Sequence, residues 1–144
     1  MTEHLRLERL YKVPVERVFE AVTRPDLLGQ WWGPVGIARC TGALDFTRPG
    51  PWDSTMINAD GARYKVSGQV TKVKAPNLVA FTWGWHDDKD QRGHESHVML
   101  EITEEEGGTR FVLTHHDLPD DAQITNHNQG WSSSLTKLDA LVAA

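Results

Sequence analysis

The chain predicts an α+β fold, a curved antiparallel β-sheet wrapped around a long C-terminal α-helix, with two short helices between the first and second strands. Three observations predict it. In the last segment Ile124, Asn128, Trp131, Leu135, Leu138 and Val142 recur at alternating steps of four and three, which lays one stripe along a helix. From about residue 35 to residue 116 the chain reads instead as successive strands separated by turn signals. Ahead of that run, residues 13–32 carry two short helical patterns punctuated by proline.

The elements follow in order. Leu5, Leu7 and Tyr11 fall on one side of an extended opening segment. Pro14 suits the first turn of a helix, where its missing N–H costs nothing. Val15, Val18, Phe19 and Val22 then form an apolar helical face. Thr23 is placed to cap a second helix with Pro25 in its first turn, burying Leu27, Leu28 and Trp31 before Gly33-Pro34 ends it. Among the strands, Asp60-Gly61 marks a two-residue hairpin between Trp52–Ile57 and Tyr64–Val73. Ala75-Pro76-Asn77 marks the next turn, Asp87 to Gly93 a longer polar loop, and Glu104 to Gly108 the last hairpin. Asp120 with Gln123 resembles a capping box at the start of the long helix.

That last hairpin can be phased. With its centre near Glu106-Gly107, Ile102 opposes Phe111, Leu100 opposes Leu113 and Val98 opposes His115. Direct cross-strand partners share a face. This face is apolar apart from His115, so it must point at the long helix. His97 and His116 then oppose each other on the other face, beside Met99 and Thr114.

Composition bounds the function. The 144 residues make one ordinary domain, 1–144, without repeats, linkers or low-complexity segments. Apolar residues at 39% and charged residues at 24% are globular values. No apolar run approaches the ~18 residues of a spanning helix, so membrane insertion is not expected. Charges in Met1-Thr2-Glu3-His4-Leu5-Arg6 speak against a signal peptide, which favours a cytoplasmic protein. A formal charge of −5 with no basic stripe argues against nucleic acid. Cys40 is alone, so neither an internal disulfide nor a multi-cysteine metal site is available. His94-x-x-His97 on a strand sends its side chains to opposite faces, and nothing fixes His86, Asp87, Asp88 and His94 around one point. No metal or cofactor is therefore expected, and a homodimer stays compatible with the sequence.

The chemistry-bearing feature is aromatic. Six tryptophans stand in this short chain, three of them in Trp31-Trp32-Gly33-Pro34 and Gly130-Trp131. Phe81, Trp83 and Trp85 alternate on one side of a strand, Trp52 starts another, and Trp131 lies on the stripe of the long helix. Each ring alone reads as core. Together they converge on the volume between sheet and helix, where rigid rings tend to leave space for an apolar or aromatic small molecule. Trp31-Trp32 locks the second helix onto the sheet, with at most one ring reaching a pocket. His115 is the polar residue of that interior, either a hydrogen-bonding or proton-transferring group at a cavity rim or a buried histidine satisfied by a backbone group or Asp117.

The sequence resembles the family of the Hsp90 ATPase activator C-terminal domain, within the START-like, Bet v 1-like (SRPBCC) superfamily. The resemblance covers nearly the whole chain. It is carried by Val13-Pro14 with Val18-Phe19-Glu20-Ala21, Thr23-Arg24-Pro25, Gln30-Trp31-Trp32-Gly33-Pro34, Asp60-Gly61, Gly107-Gly108-Thr109, Leu113-Thr114-His115 and Gly130-Trp131 with Leu135 and Leu138. It implies a helix-grip fold with a hydrophobic cavity between sheet and helix. It does not imply one activity, since relatives bind lipids, hormones or polyketides and a few are cyclases. One stretch departs from the family: Asp45-Phe46-Thr47-Arg48-Pro49-Gly50-Pro51 has an extra residue and Pro51 in place of a glycine. A cavity mouth near it is expected to be shaped differently.

Three functions compete. The first is a small-molecule binding protein, with Trp32, Trp52, Trp83, Trp85 and Trp131 as walls and His115 as a polar contact. The second is a cyclase- or dehydratase-type enzyme with His115 as base, oriented by Asp117. Against it, no nucleophile–base–orienter set is visible, and Asp87, Asp88 and Glu104 to Glu106 read as solvated loops. The third is stimulation of an Hsp90-type ATPase, which ranks lowest because the eukaryotic activator joins this domain to a separate Hsp90-binding domain.

Overall fold

The computed structural model describes residues 4–143. Met1-Thr2-Glu3, on which part of the export argument stands, lie outside the described residues. Seven strands form one antiparallel sheet: β1 (His4–Tyr11), β2 (Ile37–Thr41), β3 (Gly50–Asn58), β4 (Arg63–Lys74), β5 (Leu78–His86), β6 (Arg92–Glu105) and β7 (Gly108–His116). Between β1 and β2 run α1 (Val15–Thr23) and α2 (Pro25–Trp31), and α3 (Asp121–Ala143) ends the chain. The strand order is β1-β7-β6-β5-β4-β3-β2. The two short helices thus carry the chain from one edge of the sheet to the other, and a meander brings it back to β1.

Register shifts at Ile37/Arg39, Val70/Lys72 and Gly84/His86 interrupt the ladders. Such bulges bend and twist strands, which curves the sheet around α3. Between β4 and β5, Gly68 leaves no room for a side chain, since a Cβ there would overlap the Thr82 carbonyl. The final hairpin has the expected register: Val98 faces His115, Leu100 faces Leu113 and Ile102 faces Phe111, while His97 meets His116 on the outer face. Tyr11 Oη donates to Asp139 at 2.7 Å and Arg17 Nε to the Val142 carbonyl at 3.1 Å, so β1 and α1 both hold the C-terminal half of α3. The core is one cluster in which Val18, Val22, Leu28, Phe111, Leu113, Leu135 and Leu138 are fully buried. Each such side chain contributes about 1.5–3 kcal/mol, well above what helix propensity supplies.

Several local expectations need correction. Pro14 precedes α1 and Arg24 precedes α2 as cap residues. Thr23 does not cap α2; its hydroxyl donates back to the Phe19 carbonyl at 2.7 Å, still within α1. The turn at Asp60-Gly61 is wider than two residues, because Asn58 N donates to the Ala62 carbonyl at 3.0 Å. Asn58 Oδ1 takes the N–H groups of Asp60 and Ala62, and that local bonding outcompetes the tight turn. The buried stripe of α3 runs through His127, not Asn128, and includes Ser134. Asp120 caps α3 as expected, accepting from Gln123 N at 2.8 Å. Pro51 costs the sheet nothing, for β2 pairs with β3 only from Thr55 to Asn58 and the proline faces no β2 residue. Among the described residues no helix is long and apolar enough to cross a membrane.

Candidate functional site

The sheet face that holds α3 has two unlike ends. At one, the loop before β3 folds inward: Phe46 N donates to the Thr23 carbonyl at 3.0 Å and its ring is fully buried. Phe46 sits against Phe81 at 4.5 Å, Trp52 at 5.5 Å and Trp32 at 5.6 Å between ring centroids. Trp52 Nε1 donates to the Thr82 carbonyl at 3.1 Å and Trp31 Nε1 to the Ala21 carbonyl at 2.9 Å. This end is closed and its indole N–H groups are paired. The departing Asp45–Pro51 stretch therefore plugs the closed end; it is not part of a cavity mouth.

At the other end a cleft of about 710 Å³ opens. The first half of α3 forms one wall, through His127, Gly130, Trp131 and Ser134. Trp83 and Trp85 of β5 form its floor, and Met56 and Tyr64 of the β3–β4 hairpin the opposite side. The Gly33–Ile37 segment completes it. Gly33 is required at that bend: its φ is +84°, and a Cβ would meet Met56 Sδ at 2.9 Å. The segment is tied to α3 by Val35 N, which donates to Ser133 Oγ at 2.8 Å, and by Lys137 Nζ near the Trp32 carbonyl at 3.5 Å. Trp32 stands between the two ends, with Trp52 and Trp83 each 5.7 Å and Trp131 5.8 Å from its ring.

Of the residues singled out from the sequence, Trp32, Trp83, Trp85 and Trp131 line the cleft. Trp52 does not, being walled off by Phe46, Phe81 and Trp32. His115 does not either. It is fully buried beneath Trp83 and Trp131, whose rings lie 5.6 and 6.2 Å away. Trp131 Nε1 donates to His115 Nδ1 at 3.0 Å, and an indole can only donate. The imidazole proton therefore sits on Nε2, which donates to Ser96 Oγ at 2.7 Å, and Ser96 donates on to the Trp83 carbonyl at 3.4 Å. Asp117 takes no part. Its carboxylate pairs with His97 Nδ1 at 2.7 Å and its carbonyl accepts from His94 Nε2, both on the outer face. His86 is held by Asp90 and Ser67, so the His86/His94 loop does not converge on one point.

Sequence reasoning missed His127. It lies on the cleft wall, accepts from Trp85 Nε1 at 3.0 Å and donates from Nδ1 to the Gln123 carbonyl at 2.9 Å. The available signal was the spacing of four from His127 to Trp131 and again to Leu135, an equally good helical stripe. The His115 and His127 rings are 4.8 Å apart. Burial first, and then the neighbouring His127, lower the His115 pKa to about 3. Burial also lowers that of His127, against the opposing pull of the Gln123 carbonyl. Both imidazoles are neutral donors and acceptors locked into the fold.

A seven-stranded antiparallel sheet gripping one long C-terminal helix defines a helix-grip protein of the START-like kind. Within that class the chain belongs to the family described as Activator of Hsp90 ATPase homolog 1-like protein, which matches residues 12–143. It is similar to the AHSA1 protein of Silicibacter pomeroyi, whose crystal structure shares 52% identity and a TM-score of 0.93 over 98% of each chain. A Chromobacterium violaceum protein shares 23% identity with a TM-score of 0.87, over 98% of this chain and 97% of that one. A Mycobacterium smegmatis protein shares 24% with a TM-score of 0.78, over 96% and 89%. The last two show the fold alone. No curated protein matches the chain.

Proposed function

We propose that this protein binds an uncharged apolar or aromatic small molecule in the cleft between α3, β5 and the Gly33–Ile37 segment. One observation carries the reading: four tryptophans line the cleft and no Asp, Glu, Lys or Arg does. Its volume suits a small-molecule site, and its apolar walls with a few polar groups suit an uncharged guest. The rim supports the same reading. Of the three large hydrophobic side chains that are exposed among the described residues, Val35 and Tyr64 both belong to the cleft. A charged ligand would lose its hydration here without meeting a counter-charge.

The enzymatic alternative finds less support. His115 is separated from the cleft and both its ring nitrogens are engaged, so it meets no substrate and holds no free lone pair. ATPase stimulation is supported only by the family's description. Equilibrium dialysis with fluorene and with fluorene-9-carboxylate tests the proposal. Fluorene should bind and the carboxylate should bind at least about tenfold more weakly. Failure of fluorene to bind, or equal binding of the two, would overturn the reading.

A further inference from the structure

The six indole N–H groups divide unevenly. Those of Trp31, Trp52, Trp85 and Trp131 all have acceptors at 2.9–3.1 Å. Those of Trp32 and Trp83 have none among the described residues. Both unpaired donors are at least nine-tenths buried, with the side chains 2% and 5% exposed, and both belong to residues of the cleft wall. The two rings adjoin, 5.7 Å apart and tilted by 40°.

A buried donor without an acceptor forfeits the hydrogen bonds that water gives it in the unfolded chain. Phenylalanine would supply much of the same apolar surface without that penalty. Two unpaired indoles side by side, in the one part of the aromatic cluster that opens outward, point to an acceptor arriving from outside the fold. Neighbouring polar groups do not supply it. The His127 ring is engaged at both nitrogens, and Ser134 Oγ, which donates to the Gly130 carbonyl at 3.0 Å and keeps its lone pairs, accepts from neither indole.

We infer that the ligand is an apolar or aromatic compound bearing an uncharged hydrogen-bond acceptor, a carbonyl, ester or ether oxygen, which the indole N–H groups of Trp32 and Trp83 bind. This rests on the cleft being the ligand site and adds the polar half of its selectivity. Both nitrogens are shielded from solvent, so the acceptor reaches them as a lining ring shifts aside. The competing account is that each N–H lies over a neighbouring aromatic face, a weak but real interaction.

Fluorene and 9-fluorenone share one tricyclic frame and differ by a carbonyl, which separates the two accounts. Their affinities are measured by equilibrium dialysis, alongside ¹H–¹⁵N spectra of the assigned indole groups. The ketone should bind about fivefold more tightly than the hydrocarbon. It alone should shift the Trp32 and Trp83 indole resonances downfield. Replacing either tryptophan by β-(3-benzothienyl)alanine keeps the two-ring shape and removes the N–H, and should reduce the preference towards unity. Equal affinities with unmoved indole resonances would overturn the inference while leaving the cleft as the site. A ketone preference that survives both replacements would also overturn it. Failure of both probes to bind would overturn the inference and the proposed function together.

Discussion

Trp52 and Trp83 occupy the same face of the same sheet with ring centroids 5.7 Å apart, and they serve opposite ends of it. Trp52 is sealed by Phe46 and Phe81 and its N–H is paired within the fold. Trp83 is sealed below by His115 but forms a cleft floor above, and its N–H is unpaired. The residue type is identical and the strand environment similar, so neither makes one ring core and the other wall. What differs is the cover. The loop that buries Phe46 closes one end, whereas the Gly33–Ile37 segment at the other stands beside the cleft and does not fill it.

The largest effect is expected at the closed end. Trp52→Ala should lower the free energy of unfolding by about 3–5 kcal/mol in urea, the usual cost of emptying a packed aromatic site. A loss below about 1 kcal/mol would mean that this end collapses readily and is not the tight block described.

A second test probes the layer beneath the cleft floor. His115 has a folded pKa of about 3, below its unfolded value of 6.5. Between those values the unfolded chain binds the extra proton, so this contribution is complete above pH 6.5 and is lost as the pH falls towards 3. His115 should therefore account for roughly 3 kcal/mol of lost stability between pH 7 and pH 4. Urea denaturation across that range should show a flatter pH profile for His115→Phe than for the natural protein. Parallel profiles would show that the histidine protonates freely.

At the open end the same substitution should behave differently. Trp85 is half-buried, so Trp85→Ala should cost only about 1–2 kcal/mol of stability. It should weaken fluorene binding about tenfold, because it removes part of the cleft floor. A stability loss as large as that of Trp52→Ala, with unchanged binding, would erase the distinction between the two ends.

Much of the fold was legible because it is set by local periodicity. The Val98–His115, Leu100–Leu113 and Ile102–Phe111 pairs follow once the turn at Glu106-Gly107 is placed, since side-chain direction alternates strictly along a strand. The long helix was equally plain, but its buried polar position was misplaced by one residue. On a helix, neighbours differ by about 100° in direction, and Asn128 and His127 both satisfy a stripe that contains Trp131. The site was harder to read. Trp52 and His115 point inward as expected, yet whether an inward ring meets core or open space depends on distant covering loops. Asp117 illustrates another limit. Two residues from His115 in sequence, it lies on the outer face with a φ of +66° and binds His97 instead. The unpaired Trp32 and Trp83 donors could not be foreseen, because pairing depends on where each ring finally rests.

On the proposed function the cleft, and not the closed aromatic block, receives the ligand. Gly130 offers the most direct test, because it faces the cleft and a Cβ there meets nothing within 4 Å. Gly130→Phe should place a ring in the cleft while leaving the helix and the closed end intact. Dialysis of fluorene against the natural protein and this variant, with folding checked by circular dichroism, should show binding weakened at least about tenfold by the substitution. Equal affinity for fluorene in the two folded proteins would contradict the account.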